Sequence, residues 1–297
     1  MKKFSLMFLL LWQFGFGKPV IVGPEDRPAK LDLPKSYEPS QQTPLILFLH
    51  GFGIDADTVE FLLGFVKRKN KYDYAVLRPE GTPDPDGKLA WNATPWCCGS
   101  EETRADDVSY LLDLVDSVKS TYNFGKVYVV GYSNGGFMAN RLACETNATF
   151  AAYASVSGGN FNDLTVCQPT EPVSYIHVHG TADKVVDFAG ANQNQPGATR
   201  TVEFWADYNQ CTEPLETKKA YNLSNFSFSL SNEGFPLEGR PLDFITPGFS
   251  KETDQLSFSN CANNAKVELL KMNDLGHAPI YTGELNRVIW DFFTDAN

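Results

Sequence analysis

The sequence predicts an α/β fold in which a mostly parallel, doubly wound sheet is covered by helices. Short apolar runs alternate with helix-like segments along the chain. The apolar runs are continuous, which is typical of strands that are buried on both faces of a sheet. Several runs end in glycine followed by polar residues, at the edge where such sheets bind their ligands.

The elements follow one another in the order that this fold requires. Continuous apolar runs predict strands, and apolar residues spaced three and four apart predict helices. The predicted strands are 44–51, 74–81, 126–132, 151–158, 173–180 and 266–272. The predicted helices are 58–69, 106–122, a helix that runs to about Glu145, 199–209 and 284–293.

The helix that begins near Asp106 has a clear apolar face. Its first turn carries Asp106 and Asp107, where negative charge suits the helix dipole. Five apolar residues are predicted to share one face: Val108, Leu111, Leu112, Val115 and Val118.

Residues 212–260 interrupt the alternation of strands and helices. This segment is polar and rich in Asn, Ser and Phe, and it contains one candidate strand, NFSFSLS. We expect it to form an excursion near the functional site, between Cys211 and Cys261. The chain has no internal repeat and no clear linker, so residues 18–297 are predicted to form a single domain.

The first 17 residues have the pattern of a secretion signal. Two lysines precede an apolar run from Phe4 to Phe14, and Gly15 and Gly17 follow it. The run is shorter than the roughly 20 residues of a membrane-spanning helix. A membrane anchor or a buried N-terminal helix is therefore the weaker interpretation. The sequence predicts a secreted protein, extracellular or periplasmic, that has no membrane contact after cleavage.

Composition limits the partners of the chain. Its 297 residues, 42% of them hydrophobic, suffice for one large core. The net charge is −11, and no basic stripe is present, which disfavours a nucleic-acid partner.

The six cysteines predict disulfides, because an even number follows a secretion signal. No CxxC pair or Cys/His cluster occurs, so a structural zinc ion is not expected. The adjacent Cys97 and Cys98 could bond to each other, stay reduced or bond elsewhere. The preferred pairs are Cys144–Cys167 and Cys211–Cys261.

The segment Gly131-Tyr132-Ser133-Asn134-Gly135 fits the pattern G-x-S-x-G between a predicted strand and a predicted helix. In α/β-hydrolases this sharp turn presents a nucleophilic serine at the top of the sheet. The flanking residues must be small because strand and helix pack closely there. The pattern predicts Ser133 as a nucleophile. The alternative is a glycine-rich turn with an incidental serine.

A serine nucleophile needs a base, and the chain has only four histidines. In α/β-hydrolases the nucleophile is followed along the chain by an acid and then by a histidine. Only His277 comes late enough for this order. His177 and His179 lie two apart on one strand and face the same side, so we interpret them as packing residues. His50 is interpreted as architectural.

The acid should follow a strand between Ser133 and His277. Asp183 and Asp187 both follow the strand that ends at Gly180. We prefer Asp183, which would fix the tautomer of His277 and stabilise its charged form. The alternative for either aspartate is an Asx turn or a helix cap.

A carbonyl group attacked by the serine becomes an oxyanion, which needs two preorganised N–H donors. One is expected from the backbone of Asn134, the residue after the nucleophile. The other should come from the loop HGFGID after the first long strand. Phe52 is the preferred donor, with Gly51 and Gly53 keeping that loop tight.

Five blocks together resemble a family of secreted esterases, the poly(3-hydroxybutyrate) depolymerases and the feruloyl and acetylxylan esterases. The blocks are PLILFLHGFG, WNATPWCCG, ADDVSYL, GYSNGGFMANRLACE and VHGTADKVV. The resemblance covers roughly residues 25–211 and resumes at 261–293. It implies an α/β-hydrolase fold with Ser133 as nucleophile, Asp183 as acid and His277 as base. The sequence departs from the family at DLGHAPI, which lacks the tryptophan of GHxWP, and in the long excursion.

The sequence therefore predicts a secreted serine esterase that acts through an acyl-enzyme and needs no metal or organic cofactor. Its substrate would be an ester, free or polymeric, such as feruloyl or acetyl esters of polysaccharide or a polyhydroxyalkanoate. Trp91, Trp96 and Tyr132 are candidates to line an aromatic acyl site. A peptidase on the same fold and a catalytically inactive polymer-binding module are the alternatives.

Overall fold

A computed structural model of the chain describes residues 18–95, 97–98, 105–146, 149–190, 195–212, 216–229, 243–245 and 252–295. The predicted signal segment, residues 1–17, lies outside these ranges, as does Trp96.

The described residues form fifteen strands and six helices. The strands are β1 Val20–Val22, β2 Ala29–Asp32, β3 Thr43–Leu49, β4 Ala75–Pro79, β5 Thr82–Pro83, β6 Leu89–Ala90, β7 Phe124–Tyr132, β8 Ala152–Val156, β9 Tyr175–Gly180, β10 Glu216–Tyr221, β11 Ser224–Ser229, β12 Asp243–Ile245, β13 Thr253–Phe258, β14 Val267–Met272 and β15 Ile280–Tyr281. The helices are α1 Ala56–Leu63, α2 Phe65–Tyr72, α3 Asp107–Thr121, α4 Asn134–Glu145, α5 Ala198–Tyr208 and α6 Gly283–Asp295.

Ten strands form the central sheet, in the order β1-β2-β4-β3-β7-β8-β9-β14-β13-β10. The six inner strands from β4 to β14 are parallel to one another. Two antiparallel strands flank them on each side. The predicted mostly parallel sheet is therefore confirmed, with antiparallel margins.

The sheet separates two apolar cores, as expected when helices cover both faces. One core packs residues of α3, α4 and α5 against the sheet. The other packs residues of α1, α6 and the first residue of α2 against the opposite face. Among the described residues, no helix combines the length and the apolar character that crossing a membrane requires.

Two helix predictions need correction. The predicted helix 58–69 is two helices, because Gly64 adopts a φ of 72° and its N–H closes α1 onto the carbonyl of Glu60. On α3 the buried face includes Leu114, whereas Leu112 is only half-buried. Val108 and Val115 lie on the buried face as predicted.

The excursion does more than lie beside the site. Its strands β10 and β13 extend the central sheet beyond β14, while β11 pairs with β15, just after His277. The predicted disulfides Cys144–Cys167 and Cys211–Cys261 are confirmed, and Cys97 and Cys98 are bonded to each other. The Cys211–Cys261 bond joins the two ends of the excursion.

The carboxyl ends of four adjacent strands bring the polar residues together. Ser133 follows β7, Ser157 follows β8, Asp183 follows β9 and His277 follows β14. Backbone hydrogen bonds join the ends of neighbouring strands. The N–H of Ser133 donates to the carbonyl of Val156, and the N–H of Ser157 donates to the carbonyl of Val178, both at 2.8 Å. A candidate site therefore lies at the carboxyl ends of the parallel strands, where sheets of this type bind their ligands.

Candidate active site

Ser133 occupies a strained turn between β7 and α4. Its φ of 51° and ψ of −117° are unusual for a residue with a side chain. Such strain persists only where the surrounding structure enforces it, and it is common at functional sites. The backbone here lifts the hydroxyl group from the sheet at the N-terminus of a helix.

Two glycines allow this turn to form. A Cβ atom on Gly131 would lie 1.9 Å from the carbonyl oxygen of Gly135. A Cβ on Gly135 would lie 2.3 Å from the carbonyl oxygen of Leu49. The prediction that small residues flank the serine because strand and helix pack closely is confirmed.

The structure brings Ser133, His277 and Asp183 into one hydrogen-bonded series. The Ser133 Oγ atom lies 2.9 Å from Nε2 of His277, and Nδ1 of His277 lies 2.8 Å from Oδ2 of Asp183. An ionised carboxylate only accepts hydrogen bonds, so the imidazole carries its hydrogen on Nδ1. The Nε2 lone pair then faces the serine hydroxyl, which is the arrangement of a base and its nucleophile. All three residues are buried.

The two aspartates after β9 have different surroundings. Oδ1 of Asp183 accepts the N–H groups of Val185 and Val186, at 2.8 and 2.9 Å, which leaves Oδ2 for His277. Asp187 instead accepts the N–H of Ala189 at 2.7 Å in an Asx turn. Asp183 is thus the aspartate that contacts His277.

The Asp183 carboxyl group is held in its ionised form. Burial opposes ionisation, but the nearby His277 and hydrogen bonds from His179 and His277 outweigh it and lower the pKa of Asp183 below its ordinary value. The carboxylate is therefore charged throughout the neutral range, as an acceptor for the imidazole must be.

Two hydroxyl groups hold the backbone of His277 in place. Its carbonyl oxygen accepts hydrogen bonds from the Tyr132 hydroxyl at 3.1 Å and from Ser157 Oγ at 3.0 Å. Sequence reasoning missed Ser157, although its position after a buried strand next to β7 was a usable signal.

The loop after β3 lies directly against the serine. A Cβ on Gly51 would be 3.2 Å from Cβ of Ser133. The N–H of Gly53 already donates to the carbonyl of Leu89 at 2.8 Å, so it is engaged elsewhere. Asn134 is the first residue of α4, so its N–H has no carbonyl of that helix to bond.

His50 fixes the peptide that joins Gly51 and Phe52. Its Nε2 accepts the N–H of Gly81 at 2.8 Å, and its Nδ1 donates to the carbonyl of Gly51 at 2.7 Å. Burial lowers the pKa of His50 to about 4, so the ring is neutral. The C=O of Gly51 and the N–H of Phe52 belong to one trans peptide and point in opposite directions. His50 therefore sets the direction of the Phe52 N–H.

The predicted aromatic acyl site is not formed as expected. Trp91 and Tyr132 have no exposed surface. The indole of Trp91 donates to the carbonyl of His50 at 3.0 Å, and the Tyr132 hydroxyl is engaged by His277. A fully buried ring offers no surface to a substrate, so the substrate-lining role of these two residues is wrong. Trp96 lies outside the described residues.

His177 and His179 are buried on one face of β9, as their spacing predicts. Their surroundings are polar, however. Nε2 of His179 lies 2.8 Å from the carbonyl of Val186 and 3.2 Å from Oδ2 of Asp183. His179 therefore contacts the same carboxylate oxygen as His277, which sequence reasoning did not foresee.

Sequence comparison finds relatives with esterase names. The chain is 26% identical over 279 residues, 87% of its length, to feruloyl esterase B of Piromyces equi, and this match spans 43% of that protein. It is also 26% identical over 229 residues to a probable feruloyl esterase C of Aspergillus flavus, a match that spans 74% of each protein. The chain spans less than half the length of the first curated relatives it matches. No family model matches the sequence.

Solved structures agree on the architecture. An acetyl xylan esterase from Aspergillus awamori superimposes with a TM-score of 0.62 at 14% identity, covering 93% of this chain and 100% of the other. A carboxylesterase of Bacillus cereus gives a TM-score of 0.52 at 15% identity, covering 91% and 95% of the two chains. Identity at this level speaks for the fold alone. Together with the mostly parallel sheet and the serine turn, these likenesses establish that the chain has the α/β-hydrolase fold, with sequence relatives among the feruloyl and acetylxylan esterases.

Proposed function

We propose that the protein is a serine carboxylic-ester hydrolase that acts through an acyl-enzyme. The observation that carries this proposal is the hydrogen-bonded series from Ser133 through His277 to Asp183, built on a strained turn. The names of the sequence relatives support ester substrates.

In the proposed reaction, Ser133 Oγ attacks the ester carbonyl carbon while Nε2 of His277 takes the hydroxyl proton. The same proton then passes to the departing alkoxide, and the acyl group stays on Ser133. A water molecule attacks the acyl-enzyme, again losing a proton to His277. Collapse of this second intermediate releases the carboxylic acid and restores the serine hydroxyl.

The oxyanion of both intermediates is proposed to accept the N–H groups of Asn134 and Phe52. Asn134 adjoins the nucleophile at a helix N-terminus, where the helix dipole also favours negative charge. The Phe52 N–H belongs to a peptide that His50 holds in one orientation. Donors that are fixed before the reaction need no reorganisation when charge develops.

The proposed substrates are feruloyl or acetyl esters of polysaccharide, because the relatives carry feruloyl esterase and acetylxylan esterase names. We also propose that residues 18–297 act as a single secreted domain. Three disulfides support an oxidising compartment, and strands of the excursion extend the same central sheet.

The first test is hydrolysis of p-nitrophenyl acetate by the wild type and by Ser133→Ala. Removing the nucleophile of such a triad should lower kcat by more than about 10⁴-fold. Asp183→Asn and Asp187→Asn form a matched pair. The first should lower kcat by about 10⁴-fold, since the wrong imidazole tautomer would face the serine. The second should leave kcat near the wild-type value. Equal activity of the wild type and Ser133→Ala would sink the proposal.

A substrate panel then separates the ester classes. Turnover of methyl ferulate or acetylated xylan would support the polysaccharide assignment. Turnover of 3-hydroxybutyrate oligomers alone would overturn it in favour of a polyester. Cleavage of a peptide anilide without ester hydrolysis would overturn the esterase assignment itself.

A further inference from the structure

Behind the carboxylate of Asp183 runs a buried series of polar side chains. Nε2 of His177 lies 3.0 Å from Nδ1 of His179, and the Tyr175 hydroxyl lies 2.9 Å from Nδ1 of His177. Nδ2 of Asn140 donates to the Tyr175 hydroxyl at 2.9 Å, and Oδ1 of Asn140 accepts the indole N–H of Trp205 at 3.1 Å. All of these side chains have 1% or less of their surface exposed.

The two acceptors at the Asp183 end of the series determine which ring nitrogen of His179 and of His177 carries a hydrogen. The carbonyl of Val186 and the carboxylate of Asp183 only accept, so His179 carries its hydrogen on Nε2. Its Nδ1 then accepts from His177, whose hydrogen must also be on Nε2. Burial keeps the pKa of His177 well below its ordinary value, so the ring is neutral and its Nδ1 accepts the Tyr175 hydroxyl.

Within the series, each hydrogen bond therefore runs from its donor toward Asp183. The Trp205 N–H donates to Asn140, Asn140 to Tyr175, Tyr175 to His177, His177 to His179, and His179 to the Asp183 carboxylate and Val186. Hydrogen bonds aligned in one direction polarise one another, and the effect is greater in a dry interior. A carboxylate that is buried next to an imidazole needs such donors because water cannot reach it.

We infer that His179 is a positioning residue for Asp183, and that Tyr175 and His177 hold it in the tautomer that donates to the carboxylate. Oδ2 of Asp183 lies between two histidines, at 2.8 Å from His277 and 3.2 Å from His179. His277 exchanges a proton during the reaction, whereas His179 keeps its proton and holds the carboxylate in line. This inference rests on the proposed function only for its effect on rate.

The tautomers can be measured without any substrate. The four histidines of the chain give few signals, so long-range ¹H–¹⁵N spectra of Ser133→Ala protein can assign each ring. We expect the hydrogen on Nε2 for His177 and His179 and on Nδ1 for His50. A cationic His179, or a His177 that carries its hydrogen on Nδ1, would overturn the inference. This result stands whether or not the wild type hydrolyses esters.

The rate effect is tested with a matched pair of tyrosines. Tyr175 and Tyr153 face each other in register on β9 and β8, and both are buried. The Tyr153 hydroxyl contacts Thr146 at 3.2 Å and takes no part in the series. Tyr175→Phe should shift the His177 nitrogen signals and lower kcat about threefold to tenfold at unchanged KM, the range expected for one hydrogen bond. Tyr153→Phe should change neither.

Variants of His179 test the last donor. His179→Leu should lower kcat by about ten- to a hundredfold, because a hydrogen bond to a charged group is lost. His179→Gln keeps an N–H group at a similar distance along the side chain and should recover part of that loss. Equal kcat values for Tyr175→Phe and Tyr153→Phe, or no recovery with Gln while both His179 variants fold, would count against the positioning role.

Discussion

The side chain of Asn134 bonds both backbone groups of Trp91. Its Oδ1 accepts the N–H of Trp91 at 2.7 Å, and its Nδ2 donates to the carbonyl of Trp91 at 3.1 Å. The same Nδ2 lies 3.6 Å from Sγ of Cys97. Asn134, the residue after Ser133, thus holds the loop that begins at Trp91 through its side chain, while its backbone N–H is the one proposed to bind the oxyanion.

Asn134→Ala should loosen this loop and leave the buried N–H of Trp91 without a partner, while the carbonyl of Trp91 keeps the N–H of Ala93 at 2.9 Å. We expect a loss of unfolding free energy of about 1–3 kcal/mol, the cost of one buried group left unpaired. Activity on p-nitrophenyl acetate should fall as well. Asn286→Ala is the control, since that buried side chain donates to the carbonyl of Leu63 away from the site. It should lower the urea midpoint but not kcat.

Gly131→Ala should be among the most damaging substitutions on β7. The new Cβ would lie 1.9 Å from the carbonyl oxygen of Gly135, so strand and helix would have to separate. We expect a loss of about 3 kcal/mol of unfolding free energy, the upper end of the typical cost of overpacking. On the same strand, Gly125→Ala meets its nearest neighbour, Gln42, at 3.4 Å and should be tolerated. Similar melting temperatures for the two variants would contradict this account.

The two hydroxyl groups on the carbonyl of His277 should affect kcat and leave KM unchanged. Ser157→Ala and Tyr132→Phe each remove one of two donors, so each should lower kcat only about twofold to tenfold. The double variant removes both donors and should cost more than either. Tyr74→Phe serves as control, because its hydroxyl donates to the carbonyl of Phe65 outside the site. Steady-state kinetics on p-nitrophenyl acetate would give kcat and KM for the four variants and the wild type.

Stability should depend on the ionisation of Glu80. Burial raises the pKa of this carboxyl group to about 7, above its ordinary value of 4.5. A raised pKa means that the folded state binds the proton more tightly. The resulting stabilisation is complete below pH 4.5 and is lost as pH rises through 7. Because Glu80 is partly exposed, we expect the unfolding free energy to fall by only about 2 kcal/mol over this pH range.

Glu80→Gln isolates this contribution, because the amide stays neutral at every pH. The urea midpoint of the variant minus that of the wild type should increase from pH 5 to pH 8. A difference that is constant with pH would show that Glu80 titrates normally. The experiment needs no substrate and is independent of the proposed activity.

The sequence predicted those features that depend on local pattern. Continuous apolar runs gave the inner strands, and G-x-S-x-G with its neighbours gave the turn at Ser133. Local sequence pattern could not predict contacts between segments that are distant along the chain. Nothing local reveals that Trp91 is enclosed by His50 and Asn134, and a tryptophan in a polar loop is as compatible with a binding surface as with a core.

The same limit explains the errors at Gly64 and in the excursion. Apolar spacing continues through residues 58–69, but Gly64 takes a positive φ that ends one helix and begins another. The polar strands β10 and β13 lack a continuous apolar run, because they lie at the margin of the sheet. The contact of His179 with Asp183 depends on how the turn after β9 folds back, which spacing along the strand does not encode.

The Cys211–Cys261 bond has a consequence for the integrity of the protein. Ser133 and Asp183 precede the bond along the chain, and His277 follows it. A single proteolytic cut anywhere between the two cysteines would divide the three residues between two fragments, yet the fragments would stay covalently joined. The nicked protein should migrate as one species without reductant and as two with it.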